Sequence, residues 1–463
     1  MNAPPNDLDS PTYPILRRSS LRSQVEPTHN DQRTLILGGG LSGLMAAWYL
    51  HRQGGKVAVW EASATAGGWA QTLPWPGPKG EPGFLERGPQ SLRLAHGGAL
   101  DRLLRELNIG VINSGPKGPR WLGKGGRRQP SPATLAGLLR APGLDLTEKL
   151  RMLVEPFIPA GPEADVTLHA FFARRLGEGF ARELLPALVA GLLAAPPERL
   201  GLEALPRLRQ LEARGGLLLG GLGAGPERTR LLNDGTGALA QALVSRLGSV
   251  NMNRPATALE PLPDGRWRVH SEAFAADADT VVVALPPRAA AVLLQPLAPG
   301  VADILDAIPR VDLHVWHSRH AMVPGWERGF GLLVHPPEGR GLLGAVSFAA
   351  EDPRGVPGLL QVRTYVGGAY PVVPEQGTWP GVFQELQRWL PELPEPAQVR
   401  KEACPGAFPL LEPGHGARVT QLLADLPPGL HWLGAARFGP GVPDLAEGIE
   451  AWARHTAAKL IAG

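Results

Sequence analysis

The 463-residue sequence has one cysteine, Cys404, so it cannot form an internal disulfide or a cysteine-based metal cluster. Such sparse cysteine suits a reducing compartment, and we expect a cytoplasmic protein. No apolar run reaches the roughly 18 residues that a membrane-spanning helix needs. Residues 1–32 include Arg17 and Arg18 but no apolar stretch after them, so they predict a disordered tail rather than a signal peptide.

The sequence also has little excess of positive over negative charge. The formal net charge is only +3, which predicts no large nucleic-acid-binding face. Lysine is absent between residues 150 and 400. The 43% hydrophobic content is sufficient for substantial cores, and the length favours two large domains or about three smaller ones.

Glycine, in contrast, is abundant, and three glycines form a motif. The stretch "LGGGLSGLMAA" (37–47) places Gly38, Gly40 and Gly43 in the pattern G-x-G-x-x-G. Gly38 permits a tight turn, Gly40 lets the backbone approach a pyrophosphate, and Gly43 lets a helix pack close to a strand. On its own the pattern also fits a tight turn that binds nothing.

The flanking residues favour the binding interpretation. The run 33–38 predicts a buried strand, 41–53 an amphipathic helix and 56–61 a second strand that ends in Glu61. An acid about 20 residues after the last glycine is typical of a ribose-binding carboxylate. The N-terminus of the helix would attract the phosphates, so the stretch predicts a dinucleotide site.

Further along, "EASATAGGW" (61–69) and "FLERGPQS" (84–91) resemble the N-terminal signature of the FAD-dependent amine-oxidase superfamily. That family usually has an arginine, which braces the cofactor phosphates, at the position of Thr65. The resemblance implies noncovalently bound FAD. On the N-terminal side its contacts would come from Gly38, Gly40, Leu41, Ser42, Gly43, Glu61, Ala62, Gly67, Gly68, Trp69, Gly88 and Pro89.

The C-terminal segment 430–460 predicts a strand, a glycine-rich loop and a closing amphipathic helix. It resembles the family segment that returns to the pyrophosphate and the flavin. Backbone N–H groups at the start of that helix would stabilise negative charge developing on the flavin. The implied contacts are Gly434, Gly441, Val442, Pro443 and Asp444.

Within the superfamily, the chain from about residue 33 is similar to the oxygen-dependent protoporphyrinogen oxidases. Individually weak motifs follow the family order: "ERGPQS", "PRWLG", "LVAGLLAAPPERL", "GFGLLV", "RTYVGG" and "GPGVPD". Two positions depart from many relatives, Gln90 and Ala435. The resemblance implies an α/β fold with three interleaved parts: a discontinuous Rossmann-like FAD domain (33–113, 228–302 and 421–463), a helical roof that contacts a membrane (114–218) and a β-rich substrate domain (303–420).

The implied reaction removes six electrons from a porphyrinogen in heme biosynthesis. A flavin accepts hydride from a methylene bridge held about 3–3.5 Å from N5, and O₂ reoxidises the cofactor to give hydrogen peroxide. No residue is expected to act as acid or base. The substrate is protoporphyrinogen IX or, as an alternative, coproporphyrinogen III. The resemblance also implies two further partners. One is the inner face of the cell membrane, which the protein would contact peripherally, and the other is a ferrochelatase, which would receive the product.

The implied substrate contacts also have plainer explanations. Leu333 and Val346 would enclose a pyrrole and Tyr365 would stack on another, yet all three also fit an ordinary sheet core. Arg120 would anchor a propionate, although, without the resemblance, a solvated arginine in a loop is more typical of the basic stretch 117–128. The remaining implied contacts are Gln90, Gly191 and Ala195, the last two near flavin N5.

Rival functions stay open at this point. His314, His317 and His320 are spaced like metal ligands on a helix, but their surroundings predict a strand, which would point the first two to opposite faces, so we expect no metal. An amine oxidase generally needs a lysine near flavin N5, which the stretch 150–400 lacks. The sequence also fits a carotenoid-desaturase-like enzyme or a non-catalytic FAD-binding redox protein.

Overall fold

A computed structural model describes residues 34–113, 118–132, 137, 143–161, 166–217, 228–347 and 355–462. The predicted tail lies outside these residues. So do most of 132–146, whose leucine-rich sequence was expected to contact the membrane, and most of 215–225, which was expected to be an irregular connection. The strands are β1 (Thr34–Leu37), β2 (Val57–Trp60), β3 (Thr72–Pro74), β4 (Phe84–Glu86), β5 (Leu92–Leu94), β6 (Val111–Asn113), β7 (Arg120–Lys124), β8 (Arg127–Pro130), β9 (Arg228–Leu232), β10 (Val250–Asn251), β11 (Ala258–Pro261), β12 (Trp267–His270), β13 (Ala275–Ala278), β14 (Thr280–Val283), β15 (Arg310–Ala321), β16 (Phe330–Val334), β17 (Leu342–Ser347), β18 (Leu359–Gly367), β19 (Pro396–Pro409) and β20 (Leu430–Trp432).

Fifteen helices connect these strands in the described part of the chain. They are α1 (Leu41–Arg52), α2 (Ala99–Glu106), α3 (Leu146–Leu153), α4 (Leu168–Leu176), α5 (Glu178–Glu183), α6 (Leu185–Leu193), α7 (Arg207–Ala213), α8 (Gly237–Leu247), α9 (Pro287–Leu294), α10 (Pro299–Asp306), α11 (Pro336–Gly339), α12 (Trp379–Trp389), α13 (His415–Asp425), α14 (Ala435–Phe438) and α15 (Val442–Ala462).

A five-stranded parallel sheet with the strand order β10-β2-β1-β14-β20 forms the dinucleotide-binding part. Its central strands are fully buried runs of β-branched and aliphatic residues, as parallel sheets covered on both faces require. Helices α1, α2, α8 and α15 share one core against it. The predicted strand-helix-strand start is confirmed, and the sheet draws strands from positions as far apart as β1 and β20.

A seven-stranded sheet with the order β19-β15-β18-β17-β16-β7-β8 forms the second layer. Helix α12 covers one of its faces, where buried aromatic and aliphatic side chains make a separate core. Helices α4 to α6 belong to a larger core that includes residues of the other face and of the parallel sheet. The second face therefore lies between the helical part and the dinucleotide-binding part.

One predicted boundary is wrong. The stretch from 114 was expected to be helical, but residues 120–130 form the hairpin β7–β8, which extends the seven-stranded sheet. Gly125 and Gly126 connect the two strands, with φ of 65° and 69°. Such a two-glycine turn matches the twist of a hairpin, so local turn chemistry overrides the helical neighbourhood. Arg120 consequently lies on a strand and not in a loop.

The described part of the chain contains no helix both long enough and apolar enough to cross a membrane.

Candidate functional site

The glycine loop has the geometry that a bound pyrophosphate requires. Gly38 adopts the left-handed φ of 105°. A Cβ on Gly43 would lie 1.9 Å from the Gly38 carbonyl oxygen, so only glycine fits where α1 leaves β1. Gly40 is the N-cap of α1 and supplies no side-chain cap. The first N–H groups of α1, at Leu41 and Ser42, therefore start a helix whose positive end is open to an anion.

Glu61 follows β2 at the edge of this loop. One carboxylate oxygen accepts a hydrogen bond from the Gly39 N–H at 2.7 Å, and the other accepts from the N–H and hydroxyl of Ser63 at 2.8 and 2.6 Å. These bonds fix the orientation of the carboxylate and use only part of its acceptor capacity. Glu61 is thus held ready to accept hydroxyl donors such as those of a ribose, and Ala62 beside it is exposed.

The next predicted cofactor residues run from the glycine loop toward the seven-stranded sheet. The Gly67 N–H donates to the Gly39 carbonyl at 2.7 Å, and Gly40 forms an isolated bridge with Gly67. A Cβ on Gly88 would lie 2.1 Å from the Trp69 carbonyl oxygen, which puts the Gly88–Pro89 turn directly against Trp69. The structure therefore joins the two N-terminal cofactor segments, with Gly68 beside Gly40. We call the continuous surface from the glycine loop through Gly67–Trp69 to Gly88–Pro89 the cofactor path.

Thr65, at the position of the expected arginine, belongs to a polar chain along the same path. Its hydroxyl accepts from Gln71 Nε2 at 3.5 Å, and Gln71 accepts from Arg87 Nη1 at 3.1 Å. The Arg87 guanidinium lies 5.1 Å from the centroid of the Trp69 ring. A cation therefore does lie near this segment, but it comes from a residue that the sequence motif did not identify.

The C-terminal segment lies beside the glycine loop because β20 pairs with β14, and β14 pairs with β1. Gly434 follows β20, and a Cβ added there would meet no atom within 4 Å. The helix α15 begins at Val442, directly after Gly441, and contains Pro443 and Asp444 in its first turn. Burial raises the pKa of the Asp444 carboxyl, and the nearby Arg207 and Arg93 oppose that shift. The predicted cofactor residues of both chain ends are thus brought together.

The predicted substrate residues share one face of the seven-stranded sheet. In the strand register Arg120 pairs with Gly331, Val346 also pairs with Gly331, and Leu333 and Tyr365 both pair with Gly344. Directly paired residues point to the same side of a sheet, and so do residues two apart on a strand. We call this side the open face and the side covered by α12 the closed face.

Exposure separates the two faces. Leu333, Val346 and Tyr365 on the open face are each partly exposed. Phe330 and Leu332, their neighbours on the closed face, are 0% and 2% exposed. Arg120 is exposed at the end of the same open row and has a polar partner. Partial exposure on one face of an otherwise buried sheet leaves a surface on which a ligand could lie.

Helix α6 lies over the open face. A Cβ on Gly191 would come within 2.3 Å of Leu333 Cδ2, so the helix backbone contacts this side chain. The helix ends at Ala194, a non-glycine residue in the left-handed conformation with φ of 54°. Its carbonyl accepts from the Ala369 N–H at 2.8 Å, which ties the end of the helix to the end of β18. Ala195, predicted near the flavin, follows and is fully buried.

Gln90 is the remaining predicted contact. It lies between the Gly88–Pro89 turn and β5, is partly buried and has a polar partner. Sequence reasoning missed Arg363, which lies two residues before Tyr365 and is only 4% exposed on the open face. The two-residue period of strands was the signal that could have found it.

The histidine triplet lies on β15, and this strand separates its members. His317 is on the open face, whereas His314 and His320 are on the closed face. Burial lowers the pKa of His320 to about 4, against a weaker opposing effect of its bond to the Pro394 carbonyl. No group of residues suited to hold a metal occurs in the part of the chain that the structure describes.

Comparison with known proteins agrees with this geometry. Residues 41–444 match the model of the family described as flavin containing amine oxidoreductase. Protoporphyrinogen oxidase of Homo sapiens is 32% identical over 375 residues, covering 73% of this chain and 77% of the human protein. Coproporphyrinogen III oxidase of Propionibacterium freudenreichii subsp. freudenreichii is 27% identical, covering 92% of this chain and 90% of that protein.

The fold is shared more widely. Cyclohexylamine oxidase from Brevibacterium oxydans superposes with a TM-score of 0.70 at 19% identity, over 93% of this chain and 99% of that one. Similarity at this level concerns the fold and leaves the substrate undecided. The family match extends from the first residue of α1 to the first turn of α15, the two helices that begin at the N-terminal and C-terminal cofactor segments. The chain is therefore an FAD-dependent oxidoreductase and belongs to the flavin-containing amine oxidoreductase family.

Proposed function

We propose that the enzyme oxidises a porphyrinogen to a porphyrin, with O₂ as the final electron acceptor. The observation that carries this proposal is the open face, where Leu333, Val346 and Tyr365 remain partly exposed beside the cofactor path. A flat, largely apolar macrocycle suits a sheet surface lined by aliphatic and aromatic side chains. The similar proteins of Homo sapiens and Propionibacterium freudenreichii are oxidases of two different porphyrinogens.

The proposed oxidation needs no side chain that acts as an acid or a base. Each two-electron step removes a hydride from a methylene bridge carbon and a proton from a pyrrole nitrogen, and three steps make the macrocycle aromatic. When bound, FAD accepts the hydride, and three O₂ take up the electrons and protons as three H₂O₂. The protein's own part is to orient the bridge carbon, exclude water and bind the peripheral carboxylates.

Arg120 is proposed to bind one such carboxylate. It lies at the outer end of the row that continues through Gly331 to Val346, so its guanidinium borders the apolar surface without interrupting it. A guanidinium and a carboxylate form two parallel hydrogen bonds, which fix rotation as well as position. Protoporphyrinogen IX and coproporphyrinogen III, with two and four propionates, remain the two candidate substrates.

Parallel aerobic assays of both porphyrinogens test the proposal. Porphyrin fluorescence should rise with at least one substrate, with three O₂ consumed and three H₂O₂ formed per porphyrin. FAD-loaded protein that oxidises neither would reject the porphyrinogen assignment. Amine turnover would instead identify an amine oxidase.

The position of Lys401, the first lysine after the lysine-free stretch, argues against amine oxidation. Its Nζ lies 5.1 Å from the centroid of the Trp316 ring on the closed face, so it does not supply a lysine on the open face.

FAD is proposed to bind noncovalently. Cys404 lies closer to the cofactor path than its sequence position suggests, with Sγ 4.0 Å from the Arg87 carbonyl oxygen. Burial raises the pKa of this thiol, which keeps it protonated and unreactive. Acid precipitation should release all flavin into the supernatant. Flavin that stays with the precipitate would contradict noncovalent binding.

The Gly43→Ala variant should lose FAD, because the added Cβ would collide with the Gly38 carbonyl oxygen of the glycine loop.

Peripheral membrane contact is proposed for the apolar stripe of α3 and the turn after it. Leu146, Leu150 and Leu153 recur at helical spacing, and Leu146 and Phe157 are 72% and 85% exposed. Leu150→Glu with Phe157→Glu should abolish co-sedimentation with phospholipid vesicles. Val292→Glu, which changes an exposed apolar residue on α9, is the matched control. Unchanged binding of the stripe variant would reject this surface.

A further inference from the structure

Arg363 is an arginine on the open face, in the middle of the sheet. It lies on β18, directly between Val346 on β17 and His317 on β15 in the strand register. Its guanidinium carbon is 5.1 Å from the centroid of the Tyr365 ring. The side chain is therefore beside the proposed substrate surface, yet almost no solvent reaches it.

The hydrogen bonds of this guanidinium go to the cofactor path. Nη2 donates to the Gly88 carbonyl at 2.7 Å and to the Arg87 carbonyl at 3.3 Å. Nε and Nη1 are buried and have no hydrogen-bond partner. Arg363 thus holds the Gly88–Pro89 turn against the sheet with one nitrogen and leaves two nitrogens, which carry three N–H donors, unused.

Its charge also lacks a counterion within the described residues. Glu402, on β19 beyond β15, pairs with Arg400 at 2.8 Å and with Arg87 at 3.6 Å. Burial holds the pKa of His317 well below its ordinary range, and Arg363, Arg400 and Arg319 lower it further, so His317 is neutral. A buried, unneutralised guanidinium is costly unless a negative group approaches it.

A flavin bound along the cofactor path would acquire such a charge. Hydride transfer adds two electrons and one proton, so the cofactor gains one negative charge on reduction. We infer that Arg363 is the positive group that stabilises the reduced cofactor, acting across the Gly88–Pro89 turn that it holds in place. The inference rests on the proposed course of FAD along Gly67, Trp69 and Gly88.

The test is the midpoint reduction potential of the bound FAD, measured by spectroelectrochemical titration of FAD-loaded protein. Arg363→Gln should weaken binding of the reduced relative to the oxidised cofactor about tenfold, which lowers a two-electron midpoint by about 30 mV. Arg363→Lys keeps the charge and should recover most of the shift. Arg400→Gln removes a nearby arginine that is already paired with Glu402, and should leave the potential unchanged.

A second pair of variants leaves Arg363 in place, in case its removal prevents folding or FAD binding. His317→Glu puts a carboxylate at the position paired with Arg363 across the strands and neutralises the guanidinium, so it should lower the midpoint as Arg363→Gln does. His317→Gln, neutral and similar in size, should not. A shift in His317→Glu but not in His317→Gln assigns the effect to charge.

Unchanged midpoints in both Arg363→Gln and His317→Glu would overturn the inference and leave Arg363 a purely structural residue. An equal shift in Arg400→Gln would also contradict it, since the effect would then not be specific to the unpaired charge. The titration needs no porphyrinogen, so these outcomes are independent of the substrate assignment. If the wild-type protein binds no FAD, the proposed function itself is rejected, and not only the inference about Arg363.

Discussion

The two faces of the seven-stranded sheet are built from the same strands but differ in what covers them. On the closed face, Trp316, Phe330 and Leu332 pack against Phe383 and Leu386 in a dry core. On the open face, Leu333, Val346 and Tyr365 keep part of their surface exposed, and charged groups such as Arg120 and Arg363 alternate with them. The closed face is filled by α12, whereas the open face is only partly covered, by α6 and its neighbours, so we expect substitutions to affect stability more on the first and catalysis more on the second.

The adjacent residues Leu332 and Leu333 give the most direct test of this contrast, because the same substitution can be made on either face of one strand. Leu332→Ala should lower the free energy of unfolding by about 2–5 kcal/mol, the usual range for a buried leucine. Leu333→Ala should cost clearly less stability. The kcat/KM of Leu333→Ala for the proposed porphyrinogen substrate should fall by more than that of Leu332→Ala. Denaturant unfolding and steady-state assays measure both quantities.

Equal stability losses in the two variants would show that the open face is as tightly packed as the closed one. Both variants must retain FAD, since cofactor loss lowers activity for another reason.

Acid should destabilise the closed face through His320. This histidine stacks on Phe383 and has a pKa of about 4 in the folded protein, below its unfolded value of about 6.5. The unfolded chain therefore binds more protons between these values, and stability is lost as the pH falls from about 6.5 to about 4. The expected loss is about 3 kcal/mol.

Unfolding of wild type and His320→Gln across pH 4 to pH 7 measures this effect. The variant lacks the titrating group, so its stability should fall less steeply over the same range, with His317 supplying part of the remaining slope. Parallel curves for the two proteins would contradict the assignment to His320.

Arg120→Ala should reduce kcat/KM by about tenfold to a hundredfold, because a hydrogen bond to a charged group contributes roughly 1.5–3 kcal/mol. Arg120→Lys keeps the charge but cannot form the two parallel hydrogen bonds of a guanidinium, so it should recover only part of the activity. Arg128→Ala, which breaks a pair with Glu392 on the closed side of the same hairpin, should leave kcat/KM unchanged. Unaltered kinetics in FAD-loaded Arg120→Ala would place the carboxylate elsewhere.

Gly191→Ala should have the smallest effect, a loss of kcat/KM of about tenfold or less. The added methyl group meets the flexible end of Leu333, which can turn aside at little cost to stability but then enters the substrate surface. The double variant with Leu333→Ala removes the clash, so the two losses should not add. Fully additive losses would show that Gly191 and Leu333 act independently.

The cofactor part of the site was predictable because its information is local. Gly38, Gly40, Gly43 and Glu61 lie within one strand-helix-strand unit, and their spacing alone fixes the turn, the helix start and the acid. The hairpin β7–β8 shows the opposite case. Its Gly125–Gly126 turn is visible in the sequence, but the resemblance placed residues from 114 in a helical part and Arg120 was expected in a loop, so the strand β7 was missed.

By itself, the sequence determined the parallel α/β start, its dinucleotide-type turn and the closing helix, because these follow from local residue types and their spacing. That the dinucleotide is FAD followed from the resemblance to a known family. Only the tertiary structure decided which side chains meet. The row from Arg120 through Val346 to Arg363 crosses four strands whose register depends on long-range pairing. Leu332 and Leu333 are chemically identical, and no local pattern distinguishes the leucine that α12 buries from the one that faces α6.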